Sequence, residues 1–451
     1  MTKNLLPFIL LLSLLVTLSC GTKPNPVSQD SDEIINDKTL DSFFQELQEK
    51  DMFSGAVAVK KNGKILLKKG YGKANFQFDK DFKANTPMEV ASVSKQFTAA
   101  AIVLLEQQSK LNIENNVQAY LDDFPYSEIT IKHLLTHTSG LVNYASHFRQ
   151  NWDTTKVAYN KDIFTYFKTE KPDLESVPGE KYSYSNSGYV VLAEIIARVS
   201  GEPLDEFLQK KIFQPADMKA SAFYERDTIW KMKGYAPAYM LDLKTCEYTK
   251  PENLPGKYYY TFLSGRLGPG RLSSSVNDLI KWDSILNTNA IFSKKSKDKI
   301  FQVYKPEKDS SDYGFGWHIY NDDSLGKVVY HTGSWAGNLT SIKRYIDDRS
   351  LIIVLNNRYN TAYLKDIRKQ VEGYLKGQTL EVPKQKIEHL LPKEICNLNK
   401  ENLYSWYESI ANEVEISLEA LADMEREYRE IDEPRKADLA KDLSSFITTT
   451  N

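Results

Sequence analysis

The chain has 451 residues, of which 41% are hydrophobic and 26% are charged, so it can bury a substantial core and is not disordered throughout. A formal net charge of -2 gives no electrostatic reason to expect a nucleic acid partner. The length fits two or three domains of ordinary size, or one large domain with appended segments.

The N-terminus carries a hydrophobic run from Leu5 to Leu18, which has the length of a signal-peptide core and is too short to span a bilayer. The run ends in Ser19-Cys20-Gly21, which resembles the lipobox of bacterial lipoproteins, although Thr17 stands where that pattern usually has Leu. We therefore predict a signal peptide over residues 1–20, with Cys20 as the lipidated first residue of an exported protein. Such a protein is periplasmic or on the cell surface, anchored to a bacterial membrane by its lipid. Ordinary signal-peptide cleavage with an incidental cysteine is the alternative.

The segments that follow alternate between polar and apolar patterns. Residues 21–38 are acidic and polar, and they predict a flexible tether. The spacing of apolar residues from Leu40 to Lys50 predicts a short amphipathic helix. Two β-rich runs flank Asn62-Gly63, a dipeptide that β-hairpins prefer, and they predict two antiparallel strands over residues 52–60 and 64–70.

Ala91-Ser92-Val93-Ser94-Lys95 opens a long apolar helical run. Three residues are nearly one helical turn, so the Ser92 hydroxyl and the Lys95 amine fall on one face, within reach of a hydrogen bond. A neutral amine there can accept the hydroxyl proton and activate the serine as a nucleophile, and burial or nearby positive charge favours the neutral form. The same spacing recurs at Ser296 and Ser324, so it is a weak signal by itself. Only Ser92 precedes a long helix with a predicted buried face.

The second half of the chain returns to strands after a region of short helices and loops over about residues 112–285. Three strand patterns and a helix follow, over residues 326–333, 338–346, 350–356 and 361–375. An antiparallel sheet built from the N-terminal hairpin and these late strands, flanked by helices and interrupted by a helical subdomain, is an α+β fold. We assign this domain to residues 39–378.

Residues 379–451 are predicted to form an appended helical module after a linker around Val382-Pro383. Apolar residues keep helical spacing from Leu403 to Met424, and Pro434 breaks the pattern before a last helix, which together predict a helical hairpin. No acid–base or metal chemistry is apparent in this module. A protein partner for its helices is one prediction.

Two cysteines lie beyond the lipobox-like segment, Cys246 and Cys396, far apart and without the short spacing of a metal site. An oxidising compartment permits a disulfide between them. Two buried free thiols are the interpretation that we favour from the sequence.

Acyl transfer needs a proton relay and a site for the substrate carbonyl in addition to a nucleophile. Tyr184-Ser185-Asn186 is the only Tyr-x-Asn of the chain. A tyrosine beside Lys95 is expected to have a pKa low enough to exchange a proton with Ser92, and the Asn186 amide can bind a substrate carbonyl. His331-Thr332-Gly333-Ser334 ends a predicted strand, where the glycine lets a substrate approach the backbone. Each segment taken alone is more often structural.

Together, Ser92-x-x-Lys95, Tyr184-x-Asn186 and His331-Thr332-Gly333 resemble the motifs of the serine β-lactamase and penicillin-binding protein superfamily. The order and spacing are similar to those of its class C β-lactamase, DD-peptidase and esterase branch. The resemblance covers about residues 40–375. Three further segments look like internal signatures of that branch, and they are residues 130–141, 270–279 and 313–317.

The resemblance implies a role for each residue of the first two motifs. Ser92 would form the acyl-enzyme, with Lys95 as its base or the support of its base. Tyr184 would relay protons, and Asn186 would bind the substrate amide. The backbone N–H groups of Ser92 and Ser334 would form the oxyanion hole.

The third motif departs from the β-lactamases of the branch, because His331 stands where they carry the lysine of Lys-Thr-Gly. A lysine supplies a permanent positive charge for the substrate carboxylate, whereas a histidine is only partly charged at pH 7. Thr332 would help to hold that carboxylate, and Gly333 would let the substrate come close to the backbone. His-Thr-Gly is similar to some DD-carboxypeptidases and D-amino-acid peptidases, which argues against efficient β-lactamase activity.

We therefore predict a serine hydrolase that acts without a cofactor on amide or ester bonds of small, cell-wall-type peptides, including peptidoglycan-derived ones. The alternative is a catalytically weak penicillin-binding-like protein that binds muropeptides as a sensor or scaffold. Zinc binding by His133 and His137 is disfavoured because the segment lacks the Glu of His-Glu-x-x-His. A nucleophile-elbow hydrolase is disfavoured because the chain contains no Gly-x-Ser-x-Gly.

Overall fold

A computed structural model describes residues 34–450 of the chain. The predicted signal peptide, Cys20 and the first part of the predicted tether lie outside the described residues. The strands are β1 Gly55–Lys61, β2 Lys64–Tyr71, β3 Lys73–Asn75, β4 Lys80–Asp81, β5 Met88–Glu89, β6 Ala222–Phe223, β7 Met240–Asp242, β8 Glu247–Thr249, β9 Leu272–Ser274, β10 His318–Asp322, β11 Gly326–Trp335, β12 Asn338–Tyr345, β13 Ser350–Asn356, β14 Gln385–Lys386 and β15 Val414–Glu415. The helices are α1 Lys38–Glu49, α2 Lys95–Gln107, α3 Ile131–Leu135, α4 Tyr144–Asn151, α5 Asn160–Glu170, α6 Asn186–Ser200, α7 Leu204–Leu208, α8 Arg226–Ile229, α9 Tyr259–Phe262, α10 Val276–Asn287, α11 Lys294–Ile300, α12 Thr361–Leu375, α13 Ile387–Glu394, α14 Lys400–Ile410, α15 Leu418–Glu430 and α16 Pro434–Thr450.

The main sheet joins the two ends of the predicted domain. Its order is β10-β11-β12-β13-β1-β2, and each strand is antiparallel to its neighbours, with Val57 of β1 opposite Val354 of β13. The hairpin turn falls on Asn62 and Gly63, whose φ angles of +50° and +80° are those that two-residue hairpin turns require. The predicted hairpin, late strands and α12 are confirmed. The sequence analysis missed β10.

Helices cover both faces of this sheet. On one face, α1 and α12 bury side chains such as Phe44 and Ile367 against Val57 and Val354. On the other face, α10 anchors to the sheet through Asp283, which pairs with Lys60 of β1 and Arg344 of β12. The predicted α+β fold, an antiparallel sheet flanked by helices with a helical subdomain, is therefore confirmed.

Helix α2 carries the Ser-x-x-Lys motif into the centre of the molecule. A single 3₁₀ turn, Ala91–Ser94, precedes it, and the helix proper begins at Lys95. Every residue from Lys95 to Leu105 is buried, not only one face as we expected. A helix that is apolar on all sides can be enclosed completely by neighbouring elements, and α2 lies against α6, α7 and α11.

The end of the predicted tether is ordered against the sheet. The backbone N–H groups of Ile35 and Asp37 donate hydrogen bonds to the carbonyl groups of Ile65 and Leu66, at 2.9 and 2.8 Å. Asp37 then caps α1 by accepting from the N–H groups at its first turn. Residues 34–37 thus extend the sheet region and are not a free linker.

The C-terminal residues form four helices with a hydrophobic core of their own, which includes Leu391, Leu403, Leu421 and Leu443. The predicted continuous helical pattern from residue 403 to 424 is wrong, because residues 411–417 leave the helix, pass through β15 and restart at the Ser417 cap. Short strand β15 pairs with β14, which adds a tertiary contact that helical spacing does not encode. A separate module over residues 379–451 stays a prediction.

A disulfide joins the C-terminal helices to the rest of the fold. Cys246, in the turn between β7 and β8, is bonded to Cys396, just beyond α13. The expectation of two free thiols is therefore wrong: the fold brings together two cysteines that are 150 positions apart. Among the described residues, we find no helix with the length and apolarity needed to cross a bilayer.

Candidate active site

The turn that carries Ser92 is held by the sheet on one side and by β9 on the other. Thr340 of β12 donates its hydroxyl to the Val90 carbonyl at 2.8 Å, and the Val90 N–H donates to the Leu272 carbonyl at 2.8 Å. Ala91, directly before Ser92, has a φ of +49°, which is strained for a residue with a Cβ. The surrounding strands therefore fix a backbone bend that presents Ser92 at the start of α2.

Lys95 lies fully buried beside that serine. Its Nζ is 3.3 Å from Ser92 Oγ and donates hydrogen bonds of 2.8 Å to Asn186 Oδ1 and to the Pro269 carbonyl. Burial, followed by the positive charge of Arg266, holds the pKa of Lys95 well below its usual value. A neutral amine has two N–H donors and one lone pair, so these contacts leave the lone pair for the Ser92 hydroxyl.

Tyr184 and Asn186 approach the serine from the N-terminus of α6. The Tyr184 side chain lies beside Ser92, close enough for the serine hydroxyl to affect its pKa, and the Lys95 amine lies 4.8 Å from the centre of the Tyr184 ring. The residue is 40% exposed because one side of the ring faces the open cleft. Burial of the hydroxyl raises the pKa of Tyr184, which reverses the expected direction. The expectation was wrong because a neutral Lys95 carries no charge with which to stabilise a phenolate, so Tyr184 is a phenol in the free protein.

His137, in the segment of residues 130–141, forms hydrogen bonds to the Tyr184-Ser185-Asn186 loop and to Ser183 before it. Its Nδ1 accepts a hydrogen bond of 3.1 Å from the Ser185 N–H, and its carbonyl accepts one of 2.8 Å from the Ser183 N–H. Burial lowers the pKa of His137, so the ring is neutral and packs 4.3 Å from the Tyr184 ring. His137 positions the relay residue, a role that the sequence analysis did not assign. His133 is engaged differently, because its Nδ1 accepts from the Thr130 N–H.

His331 lies on β11, and its ring is buried among those of Tyr184, Tyr313 and His318. Its Nδ1 donates to the Thr332 carbonyl at 2.6 Å, so in the neutral tautomer Nε2 accepts from the Tyr313 hydroxyl at 3.1 Å. The residue is only 2% exposed, and burial holds its pKa well below the usual value. The expected partial charge at pH 7 is therefore wrong, and His331 acts as a neutral ring 6.1 Å from Tyr184.

The remaining residues of the third motif divide between the two sides of β11. A Cβ on Gly333 would lie 2.5 Å from the Val90 carbonyl oxygen and 3.0 Å from the Ala91 Cβ, so only glycine lets β11 pack this close to the nucleophile turn. Thr332 and Ser334 have exposed side chains. Within residues 34–450 these two side chains make no hydrogen bond to Ser92 or Lys95. The structure thus brings together Ser92, Lys95, Tyr184, Asn186 and His331, with Gly333 behind them.

The other two signature segments hold the catalytic helix in place. Leu272, in the 270–279 segment, donates its N–H to Ser94 Oγ at 3.2 Å. Gly316, in the 313–317 segment, has a φ of +79°, and a Cβ there would lie 2.8 Å from the Lys95 carbonyl oxygen. These segments therefore act by packing against α2, while Tyr313 also contacts His331.

Two features of the site have no motif in the sequence. The Pro269 carbonyl orients the Lys95 amine, and a buried guanidinium, Arg266, lies close enough to affect its pKa. Both belong to the loop between α9 and β9. Its Gly-Pro-Gly sequence signals a turn but gives no indication that the turn faces residue 95.

A hydroxyl, a neutral amine and a phenol thus come together at the antiparallel sheet, and this set of groups has the chemistry that serine acyl transfer requires. The Beta-lactamase family model matches residues 40–373, so the chain belongs to the beta-lactamase family. It is a serine hydrolase of that family and an enzyme.

Two curated relatives and one solved structure show the range of the similarity. Penicillin-binding protein 4* of Bacillus subtilis is 38% identical over 349 residues, which cover 77% of each chain. Teichoic acid D-alanine hydrolase of Staphylococcus aureus is 26% identical over 347 residues, which cover 75% of this chain and 79% of the relative. The structure of an octameric penicillin-binding protein homologue from Pyrococcus abyssi aligns with a TM-score of 0.64 at 28% identity, over 76% of this chain and 78% of the other. Relatives of these kinds are consistent with an exported or cell-surface protein.

Proposed function

We propose that the protein hydrolyses amide or ester bonds of small D-alanyl, cell-wall-type substrates, in the manner of a DD-carboxypeptidase, D-amino-acid peptidase or esterase, with Ser92 as the acylated residue. The observation that carries this proposal is the set of contacts around the Lys95 amine. Both of its N–H donors are bound at 2.8 Å, to Asn186 and Pro269, and the Ser92 hydroxyl is the remaining neighbour at 3.3 Å. An amine held in this way has its lone pair available to accept the proton of that hydroxyl.

The proton movements balance with the residues at hand. Ser92 Oγ attacks the substrate carbonyl carbon as its proton passes to the Lys95 Nζ lone pair. The Tyr184 hydroxyl gives its proton to the leaving nitrogen or oxygen and regains one from the Lys95 ammonium. Water then attacks the acyl-enzyme, loses a proton to the same pair of groups and returns Ser92 to its starting state. A base with a lowered pKa and an acid with a raised pKa are both in the required form at neutral pH.

The choice of substrate class rests on His331 and on the relatives. A neutral His331 tied to Tyr313 offers no fixed charge to the carboxylate of a β-lactam, so we expect weak β-lactamase activity. One relative is named a teichoic acid D-alanine hydrolase, which makes D-alanyl esters candidate substrates alongside D-alanyl peptides. Thr332 would contact the leaving side of the substrate, and the N–H groups of Ser92 and Ser334 would bind the oxyanion.

A fluorophosphonate or labelled penicillin tests the nucleophile. We expect labelling of the wild type, none of Ser92→Ala and full labelling of Ser324→Ala, which alters another Ser-x-x-Lys motif on an exposed turn. Equal labelling of the wild type and Ser92→Ala would refute the assignment. A wild type that neither reagent labels, and that hydrolyses no D-alanyl ester or peptide, would instead support the non-catalytic binding protein.

We also propose that Cys20 carries a lipid that anchors the enzyme to a membrane. The disulfide between Cys246 and Cys396 supports export, because such bonds persist in oxidising compartments. Metabolic labelling with a fatty acid should mark the wild type and not Cys20→Ser, with the variant appearing in the soluble fraction. Labelling of both would refute this proposal. A protein partner for the C-terminal helices remains a prediction.

A further inference from the structure

A second buried cation lies beside the catalytic lysine. Arg266 is 5% exposed, its Nη1 donates to the Leu263 carbonyl, and its guanidinium carbon lies 3.8 Å from the centre of the Trp335 ring. The buried Tyr144 side chain is also close enough to affect its pKa. Within the part of the chain that the structure describes, no aspartate or glutamate forms an ion pair with Arg266. An arginine keeps its charge even when it is buried, so a positive charge without an acidic partner is fixed in this wall.

Two carboxylates close to this loop are already engaged, and Glu89, whose charge raises the pKa of Arg266, forms no ion pair with it. Glu89 pairs with Arg271, and Glu252 pairs with Arg226 at 2.7 Å. These two carboxylates balance those two guanidinium groups and leave Arg266 unmatched. A buried charge without a counterion is costly, and a bound anion relieves that cost.

The structure leaves room for a ligand atom between Arg266 and the nucleophile turn. A Cβ added at Gly270 would have as its nearest neighbours the Ala91 carbonyl oxygen at 3.9 Å and Arg266 Nη2 at 4.0 Å. Both distances are ordinary van der Waals contacts. A carbon-sized gap therefore touches the residue before Ser92 on one side and the guanidinium on the other.

The position of β11 suggests which part of the substrate reaches this gap. Gly333 of β11 lies against the nucleophile turn, with His331 on one side along the strand and Trp335 on the other. The ring of Tyr184, the proposed proton donor to the leaving group, is 6.1 Å from that of His331, so we take the leaving group to depart toward His331 and the acyl part to extend toward Trp335. Strand β10 pairs with β11 only as far as Tyr330, so in the described chain it leaves the edge of residues 331–335 open to an extended acyl chain.

We infer that Arg266 and Trp335 form a subsite for a carboxylate in the acyl part of the substrate, on the group attached to the amino nitrogen of the D-alanyl residue. This inference rests on the proposed function and names its substrate class. The enzyme would therefore prefer substrates with a negative charge on the acyl side of the scissile bond, where Arg266 lies. It would not prefer a negative charge on the leaving group, because His331 is neutral.

A pair of thioesters of equal shape tests the subsite. N-succinyl-D-alanyl and N-succinamoyl-D-alanyl thioesters of ethanethiol differ only by a carboxylate against a carboxamide, and thiol release reports their hydrolysis. A charge-assisted hydrogen bond in a buried site favours the carboxylate, so we expect its kcat/KM to be about tenfold to a hundredfold higher. Turnover of both at equal rates would overturn the inference alone. If the enzyme hydrolysed neither thioester, both the inference and the proposed function would be overturned.

Two variants assign the preference to its residues. Arg266→Met should bring the ratio of the two kcat/KM values close to one, whereas Arg149→Met should leave it unchanged. Arg149 is the matched control, because it also stacks on an aromatic ring, 3.9 Å from the centre of Tyr259, but is exposed. An equal loss in both variants, or an unchanged ratio in a folded Arg266→Met protein, would overturn the inference.

Gly270→Ala keeps the test valid if the buried arginine proves necessary for folding. Its methyl group fills the gap without overlap, and Gly270 is not in the left-handed region, so the fold should tolerate it. We expect the carboxylate preference to fall as in Arg266→Met. A ratio that stays at the wild-type value would show that the carboxylate does not pass this gap.

Discussion

Two buried guanidinium groups five residues apart on one loop, Arg266 and Arg271, have opposite surroundings. Arg271 pairs with Glu89 inside a cluster in which Arg226 pairs with Glu252, so charge is balanced there. Arg266 is bounded by an aromatic ring and a carbonyl group, and its charge acts on a lysine that is also without a carboxylate. In the balanced cluster the charges stabilise the fold, whereas the unbalanced side is the one at which we propose that acyl transfer occurs.

The difference shows how one buried environment produces two kinds of cation. Lys95 can lose its proton, and burial together with Arg266 favours that loss, which yields a base. Arg266 cannot lose its proton at neutral pH, so it remains a fixed charge that favours neutral lysine and attracts an anion. A carboxylate side chain bonded directly to the Lys95 amine, in place of Asn186 or the Pro269 carbonyl, would hold Lys95 protonated and inactivate it as a base.

The largest expected effect comes from removing the base. Lys95→Met should lower the rate of acylation by about 10²–10⁴-fold, because the serine loses its proton acceptor. Lys95 has a lower pKa folded than unfolded, so the unfolded chain binds the extra proton and the free energy of unfolding rises with pH between the two values. Stopped-flow acylation and urea unfolding at several pH values measure both. Near-normal acylation, or the same pH-dependent rise in stability in the variant, would exclude Lys95 from this role.

Breaking the balanced cluster should affect stability and not chemistry directly. Glu89→Gln leaves Arg271 without its counterion and should lower the free energy of unfolding by about 3–5 kcal/mol. The matched control is Glu46→Gln, which removes an exposed pair with Lys50 and should change stability by less than about 1 kcal/mol. Arg266→Met should cost less than Glu89→Gln, since it leaves the Leu263 carbonyl without a donor but leaves no charged group without its counterion. If Glu89→Gln were as mild as Glu46→Gln, the distinction between the two sides of the loop would fail.

The sequence predicted the parts of this site that local patterns encode. The Ser-x-x-Lys spacing, the hairpin at Asn62-Gly63 and the late strands depend on neighbours in sequence and were found correctly. Arg266, His137 and the Pro269 carbonyl act across more than 40 positions of sequence, and no local pattern marks them. The states of Tyr184 and His331 were mistaken for a related reason, since burial decides their pKa values and burial is a property of the whole fold.

The Cys246–Cys396 disulfide and the break between α14 and α15 were missed on the same grounds. Helical spacing continues through residues 411–417, but pairing of β15 with β14 overrides it. Two isolated cysteines carry no sign of proximity until the β7–β8 hairpin and α13 are placed side by side.

The pH dependence of acylation should distinguish the buried Arg266 from the exposed Arg149, although the expected effect is smaller than those above. Acylation needs neutral Lys95, so its rate should rise with pH through the lowered pKa of Lys95 and then level off. Arg266→Met removes a positive charge that lowers this pKa, so the rise should move to higher pH. Arg149→Met, with its exposed guanidinium, should leave the midpoint in place. A midpoint that does not move in Arg266→Met would show that burial alone sets the charge state of Lys95.

The smallest expected effect comes from adding charge on the leaving side, where the wild type has none. His331→Lys replaces a neutral ring by a cation and should improve kcat/KM for an N-acetyl-D-alanyl thioester of mercaptoacetate, which carries its carboxylate in the leaving group. Relative to the neutral ethanethiol ester, the gain should be about twofold to tenfold, the range of a single net hydrogen bond. The control is His318→Lys, whose ring lies 5.4 Å from that of His331 on the neighbouring strand and should give a weaker response. Any change in Lys95 affects both thioesters equally and cancels in the ratio of their kcat/KM values. An unchanged ratio in His331→Lys would therefore mean that residue 331 does not contact the charge of the leaving group.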